Sequence, residues 1–297
     1  MIMKLRHALS KRLQWCRLFL ERGRLWTATR TARFRTPRTP SIVTGEGAGG
    51  NECCVGFFGL NRSARKTAPS IALNIYEPLE RAELNVTAVA HFNRPDRIHS
   101  PRSGENAVVA RNVGAEQLGC ELIWSEPQDQ ENIRGLLDFV SKYPMRGEED
   151  PAGIIRRNAL LQMYSQHRLL QLIRLVDIDR FRLICLARSD LLYLDQVPAS
   201  VVSSIVSGKA DIVTPTWHRW GGFNDRFAFC SRRGAEVYLD RMSWVPRFCE
   251  AKGYFHPEEI LRFSVEQSGI AFDFTPMRAM RVRSTGAVKN EDFSLIE

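Results

Sequence analysis

Apolar positions along the 297-residue chain follow two rhythms, and the places where one gives way to the other mark out its elements. Residues 53–58, CCVGFF, form an unbroken apolar run closing at Gly59, as a strand covered on both faces would. Ile71, Ile75 and Leu79 then recur at helical spacing in KTAPSIALNIYEPLERAEL, with Thr67 the predicted N-cap. NVTAVAHFN (85–93) reads as a second strand and CELIWSE (120–126) as a third, with a polar loop between them. QENIRGLLDFVSKY (130–143) and GIIRRNALLQMYSQHRLLQLIRLV (153–176) are predicted helices, the second apolar along one side. A strand at 182–187 follows, then ADIVTP (210–215), helices over 233–243 and 257–268, and a closing strand near 270–274. This alternation predicts an α/β, Rossmann-like three-layer sandwich with a mostly parallel sheet. No internal repeat is evident.

The formal net charge of +9 changes meaning once it is divided. Residues 1–40 hold eleven Lys/Arg and one acid, Glu21, whereas the remaining residues carry 31 basic and 32 acidic side chains. A basic tail on a nearly neutral body argues against a nucleic-acid-binding body. Within the tail, Ile2, Leu5, Leu9, Leu13, Cys16 and Leu20 share one helical face. No apolar run approaches ~18 residues, and no secretory leader pattern is present. Residues 1–26 therefore read as a basic amphipathic helix able to lie on an anionic membrane surface. The plainer alternatives are a helix packed on its own domain or a mistranslated upstream extension. Residues 27–50, rich in Thr, Arg, Pro and Gly, read as a flexible linker. Gly45, Gly47 and Gly50 match GxGxxG only formally, because they precede the first strand. The body is then one domain over 51–297. Seven scattered cysteines without CxxC spacing read as buried thiols in a reducing, cytoplasmic setting, peripheral at the inner membrane face if the tail binds there.

Ligands of open α/β sheets bind beyond the carboxyl ends of strands. Three polar groups stand at such ends: Asn61/Arg62, His91/Asn93 and Arg188/Asp190. In the last, the apolar run 183–187 stops at Arg-Ser-Asp and resumes at Leu191. A local ion pair would explain the charges, worth ~0–1 kcal/mol if exposed. A diphosphate clamp would explain their place: Arg188 forking onto phosphate oxygens, Asp190 holding a divalent metal or a sugar hydroxyl. In WHRWGGFNDRFAF, Gly221-Gly222 permit a tight turn before Asn224, Asp225 and Arg226. An Asx-turn entering a strand is the structural reading. The functional one sets Asn224 and Asp225 on sugar or acceptor hydroxyls, with Trp217 or Trp220 as an apolar platform. The six histidines do not cluster; His218 and His256 fit turns, and His91 is either a donor contact or a satisfied structural residue.

GFFGLNRSARKTAPSIALNIYEPL, VTAVAHFN, YSQHRLLQLI, RFRLICLARSDLLYL, GGFNDRFAFCSRRGAEVY and HPEEILRFSVEQSGI occur in that order. Over roughly residues 54–285 the chain thereby resembles a family of bacterial and algal glycosyltransferases with a GT-A-like nucleotide-sugar domain. The resemblance implies transfer of a sugar from a nucleotide-diphosphate donor to a glycan or glycolipid acceptor in surface polysaccharide synthesis. It places Arg62, with Asn61, near the nucleotide or its phosphates. Arg188 and Asp190 stand where better-known GT-A enzymes carry Asp-x-Asp. A guanidinium replaces the first carboxylate, so whether Mg²⁺ or Mn²⁺ is needed stays open. A general base for the acceptor hydroxyl is required in an inverting reaction. Asp225 is the first candidate and Glu258 the second, because Glu258 and Glu259 open a helix whose dipole alone favours acids there.

Two other classes compete. GLNRSARKT after the first strand suits a phosphosulfate, which would make the chain a sulfotransferase or another nucleotide-phosphate user, although Arg65 breaks the Walker pattern. A non-enzymatic basic protein binding membrane or nucleic acid would draw its activity from residues 1–40.

Overall fold

The computed structural model describes residues 50–100, 105–108, 114–147, 149–150, 152–289 and 291–294. The helix expected over 1–26, and the linker over 27–50 apart from Gly50, lie outside the described residues. Seven strands form the central sheet: β1 (Glu52–Leu60), β2 (Asn85–Arg94), β5 (Leu122–Pro127), β6 (Phe181–Arg188), β8 (Ile212–Pro215), β9 (Ala228–Cys230) and β10 (Phe272–Thr275). Their order is β10-β8-β9-β6-β1-β2-β5, and only β9 runs antiparallel to its neighbours. β1, β2 and β6 therefore end on one edge, at Leu60, Arg94 and Arg188.

Helices cover both faces, giving the predicted three-layer, mostly parallel α/β class. The strand period of two sorts β1 between the layers. Cys53, Val55 and Phe57 pack with Ile71, Ile75 and Leu79 on one side. These last belong to a continuous helical run made of α1 (Ala64–Ile71), a π-helical stretch (Ala72–Tyr76) and α2 (Glu77–Arg81). Cys54 and Phe58 face the other layer, built from α4 (Ile154–Leu175), α6 (Arg232–Leu239) and α8 (Pro257–Ser268), which follow α3 (Arg134–Val140) and α5 (Ala199–Val206) in the chain. A third apolar cluster joins α3, the first half of α4 and α7 (Val245–Lys252) through Val140, Leu160, Val245 and Phe248. Gly56 lets α4 lie close on the sheet, since a Cβ there would stand 2.9 Å from the Leu169 side chain.

Several expectations need correction. Helix α1 starts at Ala64 after Ser63, not at a Thr67 cap; Thr67 is buried inside it, and its one hydroxyl proton meets the Ser189 carbonyl, with the Ser63 and Ala64 carbonyls also in reach. The helix expected over 130–143 is α only from Arg134 to Val140. The expected polar loop contains a hairpin, β3 (Arg97–Ser100) with β4 (Glu105–Val108). A second small pair, β7 (Leu191–Tyr193) with β11 (Ala279–Arg281), brings the C-terminal segment beside the end of β6. Six described cysteines are free thiols, five of them buried, as expected.

Replacing Gly56 by Val forces two methyl groups into the α4 contact. Such overpacking is expected to cost about 1–3 kcal/mol. In urea titrations the midpoint should fall with an unchanged slope; an unmoved midpoint would show the contact to be slack.

Candidate active site

A cleft of about 630 Å³ opens at the carboxyl edge of the sheet. Its walls come from the ends of β1, β2 and β6, the first turns of α4, the 218–226 loop, the start of α8, and residues 281–289. Eight arginines and lysines line it against four carboxylates, so its potential is positive and suits an anionic ligand.

Asp190 explains the charges at the end of β6. It is fully buried. Its Oδ1 accepts from Arg188 Nε at 2.8 Å and its Oδ2 from Arg188 Nη2 at 2.8 Å. Oδ2 also accepts from Arg62 Nε at 2.9 Å and Nη2 at 2.7 Å. Burial would raise the Asp190 pKa, but the Arg188 and Arg62 guanidiniums hold it far below the usual carboxylate range. Arg62 reaches on to Glu105 Oε2 at 2.9 Å, which Arg283 Nη1 also meets at 2.8 Å. Arg62, Arg188 and Asp190 thus stand together. Arg188 and Arg62 line the cleft, whereas Asp190 lies behind them.

Arg188 Nη1 donates to Gln162 Oε1 at 2.6 Å, and Gln162 Nε2 donates to Asp225 Oδ2 at 2.8 Å. A neutral amide on α4 therefore ties the first charge network to a second. Asp225 Oδ2 also accepts from the fully buried Arg241, whose Nη2 lies at 2.7 Å. Burial is the largest single influence and raises the Asp225 pKa, but Arg241, Arg188 and Arg226 together outweigh it, so this carboxylate is held ionised. Glu258 differs: burial first, and then the Asp225 charge, push it up to about 7. It lines the cleft beside Asp225 and Arg226. The turn at 221–222 sets its place. A Cβ on Gly222 would fall 2.1 Å from the Glu258 carbonyl, and Phe223 N donates to that oxygen at 3.0 Å. Glu259 points elsewhere, accepting from Arg146 and from the Tyr254 hydroxyl at 2.7 Å.

The remaining expected residues are placed otherwise. Asn224 lines the cleft but forms the Asx-turn, with Oδ1 accepting from Arg226 N at 3.0 Å and Nδ2 donating to the Trp217 carbonyl at 2.6 Å. His91 is fully buried and is not among the cleft-lining residues, which corrects its assignment to donor binding. Its Nδ1 meets Ser165 Oγ at 2.9 Å and its Nε2 meets Glu126 Oε1 at 3.0 Å. Burial lowers it to about 4, so it is neutral; the Nε2–H tautomer suits the Glu126 carboxylate, and the Ser165 hydroxyl also reaches the His91 carbonyl at 3.0 Å. Asn61 is also absent from the lining; both its side-chain polar atoms are buried without a partner among the described residues. Trp217 is a core residue donating to the Met277 carbonyl, whereas Trp220 is 43% exposed on the cleft.

Asp190 does not fit the role of a divalent-metal ligand. Two guanidiniums occupy both of its oxygens, and a cation would have to displace them among further arginines. Among the described residues no cluster of three or more His, Cys, Asp or Glu side chains could hold a metal. Sequence reasoning overlooked Gln162, Glu105, Arg241, Arg281 and Arg283. For Gln162 a signal existed: with Ser165 and Gln166, at 3 and 4 residues, it makes the stripe that continues to Leu169 polar where a core-facing stripe should be apolar.

No family model matches the chain, and no curated protein does. Among solved structures it is similar to mouse xyloside xylosyltransferase 1 in its apo form, at 11% identity and a TM-score of 0.40, over 75% of this chain and 84% of that one. It is also similar to an active-site mutant of LgtC, at 10% identity and 0.38, over 75% and 72%. The galactosyltransferase LgtC in complex with donor and acceptor sugar analogues aligns at 9% identity and 0.38, over 75% and 73%.

Removing Asp190 leaves two buried guanidiniums facing each other. Asp190→Asn is therefore expected to destabilise the fold by roughly 3–5 kcal/mol in denaturant unfolding; a loss under 1 kcal/mol would mean the arginines find other partners. His91 supplies a pH test. Its folded pKa lies below the unfolded value of 6.5, so between about pH 4 and 6.5 the unfolded chain binds the extra proton. Stability should rise with pH through that window, by up to about 3 kcal/mol from this residue. His218, also lowered to about 4 by burial, adds to the slope. His91→Gln should flatten the curve by about one proton; parallel curves would show that His91 does not titrate this way.

Proposed function

We propose that the chain is a glycosyltransferase that moves a sugar from a nucleotide-diphosphate donor to a hydroxyl of a glycan or glycolipid acceptor in surface polysaccharide synthesis. The observation that carries this reading is a positive cleft at the sheet's carboxyl edge holding a carboxyl group poised near neutrality, Glu258, next to an ionised one, Asp225. The family resemblance of residues 54–285 supports the same chemistry. The cations suit the diphosphate of a donor, and the carboxyl pair suits proton removal from an alcohol.

The order of the two bases is reversed from the expectation. Asp225 Oδ2 is held by Arg241 and Gln162, which lower its proton affinity. Among the described residues Glu258 forms no ion pair with a guanidinium, and its pKa lies near working pH, where a general base is most effective. In a single displacement, the acceptor oxygen bonds to the anomeric carbon as its proton passes to Glu258. The bond from that carbon to the phosphate oxygen breaks, and its electron pair leaves on the nucleoside diphosphate. Asp225 acts on Glu258 through its charge, keeping the proton affinity high enough to receive the proton. Residues 1–26 would hold the enzyme at an anionic membrane surface, close to lipid-linked acceptors.

Thermal unfolding with UDP, GDP and their sugars, set against adenosine 3′,5′-bisphosphate, tests the donor class. A ligand at a hundred times its Kd adds about 2.7 kcal/mol, which for a body of this size raises Tm by roughly 5–10 °C. Stabilisation by the adenosine bisphosphate alone would replace this reading with a sulfotransferase. For the proton step, Glu258→Gln should keep donor binding and lower turnover by about 10²–10⁴. The parent rate should rise with pH through about 7 as Glu258 loses its proton, and the variant should lack that limb. Undiminished turnover in the variant would remove Glu258 from the mechanism.

A further inference from the structure

Most cations of the cleft are matched by an anion. Arg62 and Arg188 share Asp190, Arg283 takes Glu105, and Arg226 stands 3.1 Å from Glu291. Arg281 is different. It lines the cleft from the end of β11, and among the described residues its side chain makes no hydrogen bond or ion pair. Its Nε is shut off from solvent without a partner. Arg157, in the first turn of α4, is the other cleft arginine in this position.

We propose that Arg281, flanked by Arg188 and Arg226, is the receptor for the diphosphate of the ligand and does the work that a divalent cation would otherwise do at this strand end. Three observations converge on it. The carboxylate at the expected metal position is consumed by guanidiniums, so the anion's counter-charge must come from side chains. Arg188 spends three of its five N–H donors on Asp190 and Gln162, which fixes it as background charge more than as a free fork. Arg281 keeps both terminal nitrogens of its planar fork uncommitted among the described residues, the pair that meets two phosphate oxygens at once. Burial works against its charge, and the neighbouring Arg226 and Arg188 cations add to a penalty that the Asp190 carboxylate, already shared by two guanidiniums, offsets only in part. A bound anion relieves both. Naming the ligand a nucleotide sugar rests on the transferase reading; the anion receptor itself does not.

Calorimetric titration of the full chain with inorganic pyrophosphate and with UDP, first in EDTA and then with Mg²⁺ or Mn²⁺, tests the assignment. Both ligands are expected to bind in EDTA with affinities little changed by either metal. Arg281→Met should weaken both by roughly ten- to a hundredfold, and Arg281→Lys should recover part of the loss. Because the Met variant removes an unmatched cation from among other cations, the ligand-free protein should melt no lower than the parent. A lower melting temperature would make Arg281 a structural residue and overturn the assignment. So would binding in EDTA that survives Arg281→Met. Binding of UDP and UDP-sugars only with metal would overturn the receptor and keep the transferase. An Arg281-dependent, chelator-resistant pyrophosphate site without response to any nucleotide sugar would keep the receptor and overturn the transferase.

Discussion

A single buried carboxylate organises the carboxyl edge of this sheet. Asp190 has no exposed surface, and in that setting an ionised group persists only if its charge and lone pairs are met inside the protein. Arg188, two residues away, meets it along the strand, and Arg62, which follows β1, meets it across the sheet. Arg62 continues to Glu105 on the β3–β4 hairpin, and Glu105 accepts in turn from Arg283 and from Ser284 N at 3.0 Å. Four segments far apart in sequence are thus held by alternating charges. Such a network adds little net stability over an apolar core of equal volume. Its effect is to fix one arrangement of the loops that wall the cleft.

The second network has a different purpose in the same space. Gln162 accepts from Arg188 and donates to Asp225, so it orients both without adding charge to either. Arg241 keeps Asp225 ionised, and an ionised Asp225 is one of the two reasons that Glu258 holds its proton to about pH 7. The packing of Gly222 against the Glu258 backbone fixes the start of α8 to the 218–226 loop, and hence the two carboxyl groups to one another. A methyl group at 222 cannot be accommodated there without moving backbone.

Local signals were legible in the sequence and cross-chain partners were not. Helix α8 follows from the His-Pro-Glu-Glu start and the Gly269 stop, and β1 from its unbroken apolar run. The fold class follows from the alternation of such segments. The β3–β4 hairpin, α5 and α7 were missed because their stretches are short or mixed in polarity and owe their shape to neighbours. In the site, the closeness of Arg188 and Asp190 could be read from a spacing of two. That Arg62 would complete the shell of Asp190 could not, for the two are 128 residues apart, and this is what turned a supposed metal ligand into a structural anion. Glu258 and Glu259 are equivalent to the helix dipole. Only Arg146 and Tyr254 on one side, and Gly222 on the other, assign one to the fold and leave the other at the cleft.

The placement of unmet polar groups separates structure from use. Asp190, Asp225, Arg62, Arg188 and Arg241 have partners at close range, and each could be removed only at a cost to the fold. Arg281 and Arg157 hold buried guanidinium atoms that nothing among the described residues satisfies, although both side chains border the cleft. A chain shaped for stability alone would set an apolar side chain or a matched carboxylate at such positions. Cations left unmatched beside a cleft, where neighbouring carboxylates are already engaged, are arranged for an anion that arrives from outside.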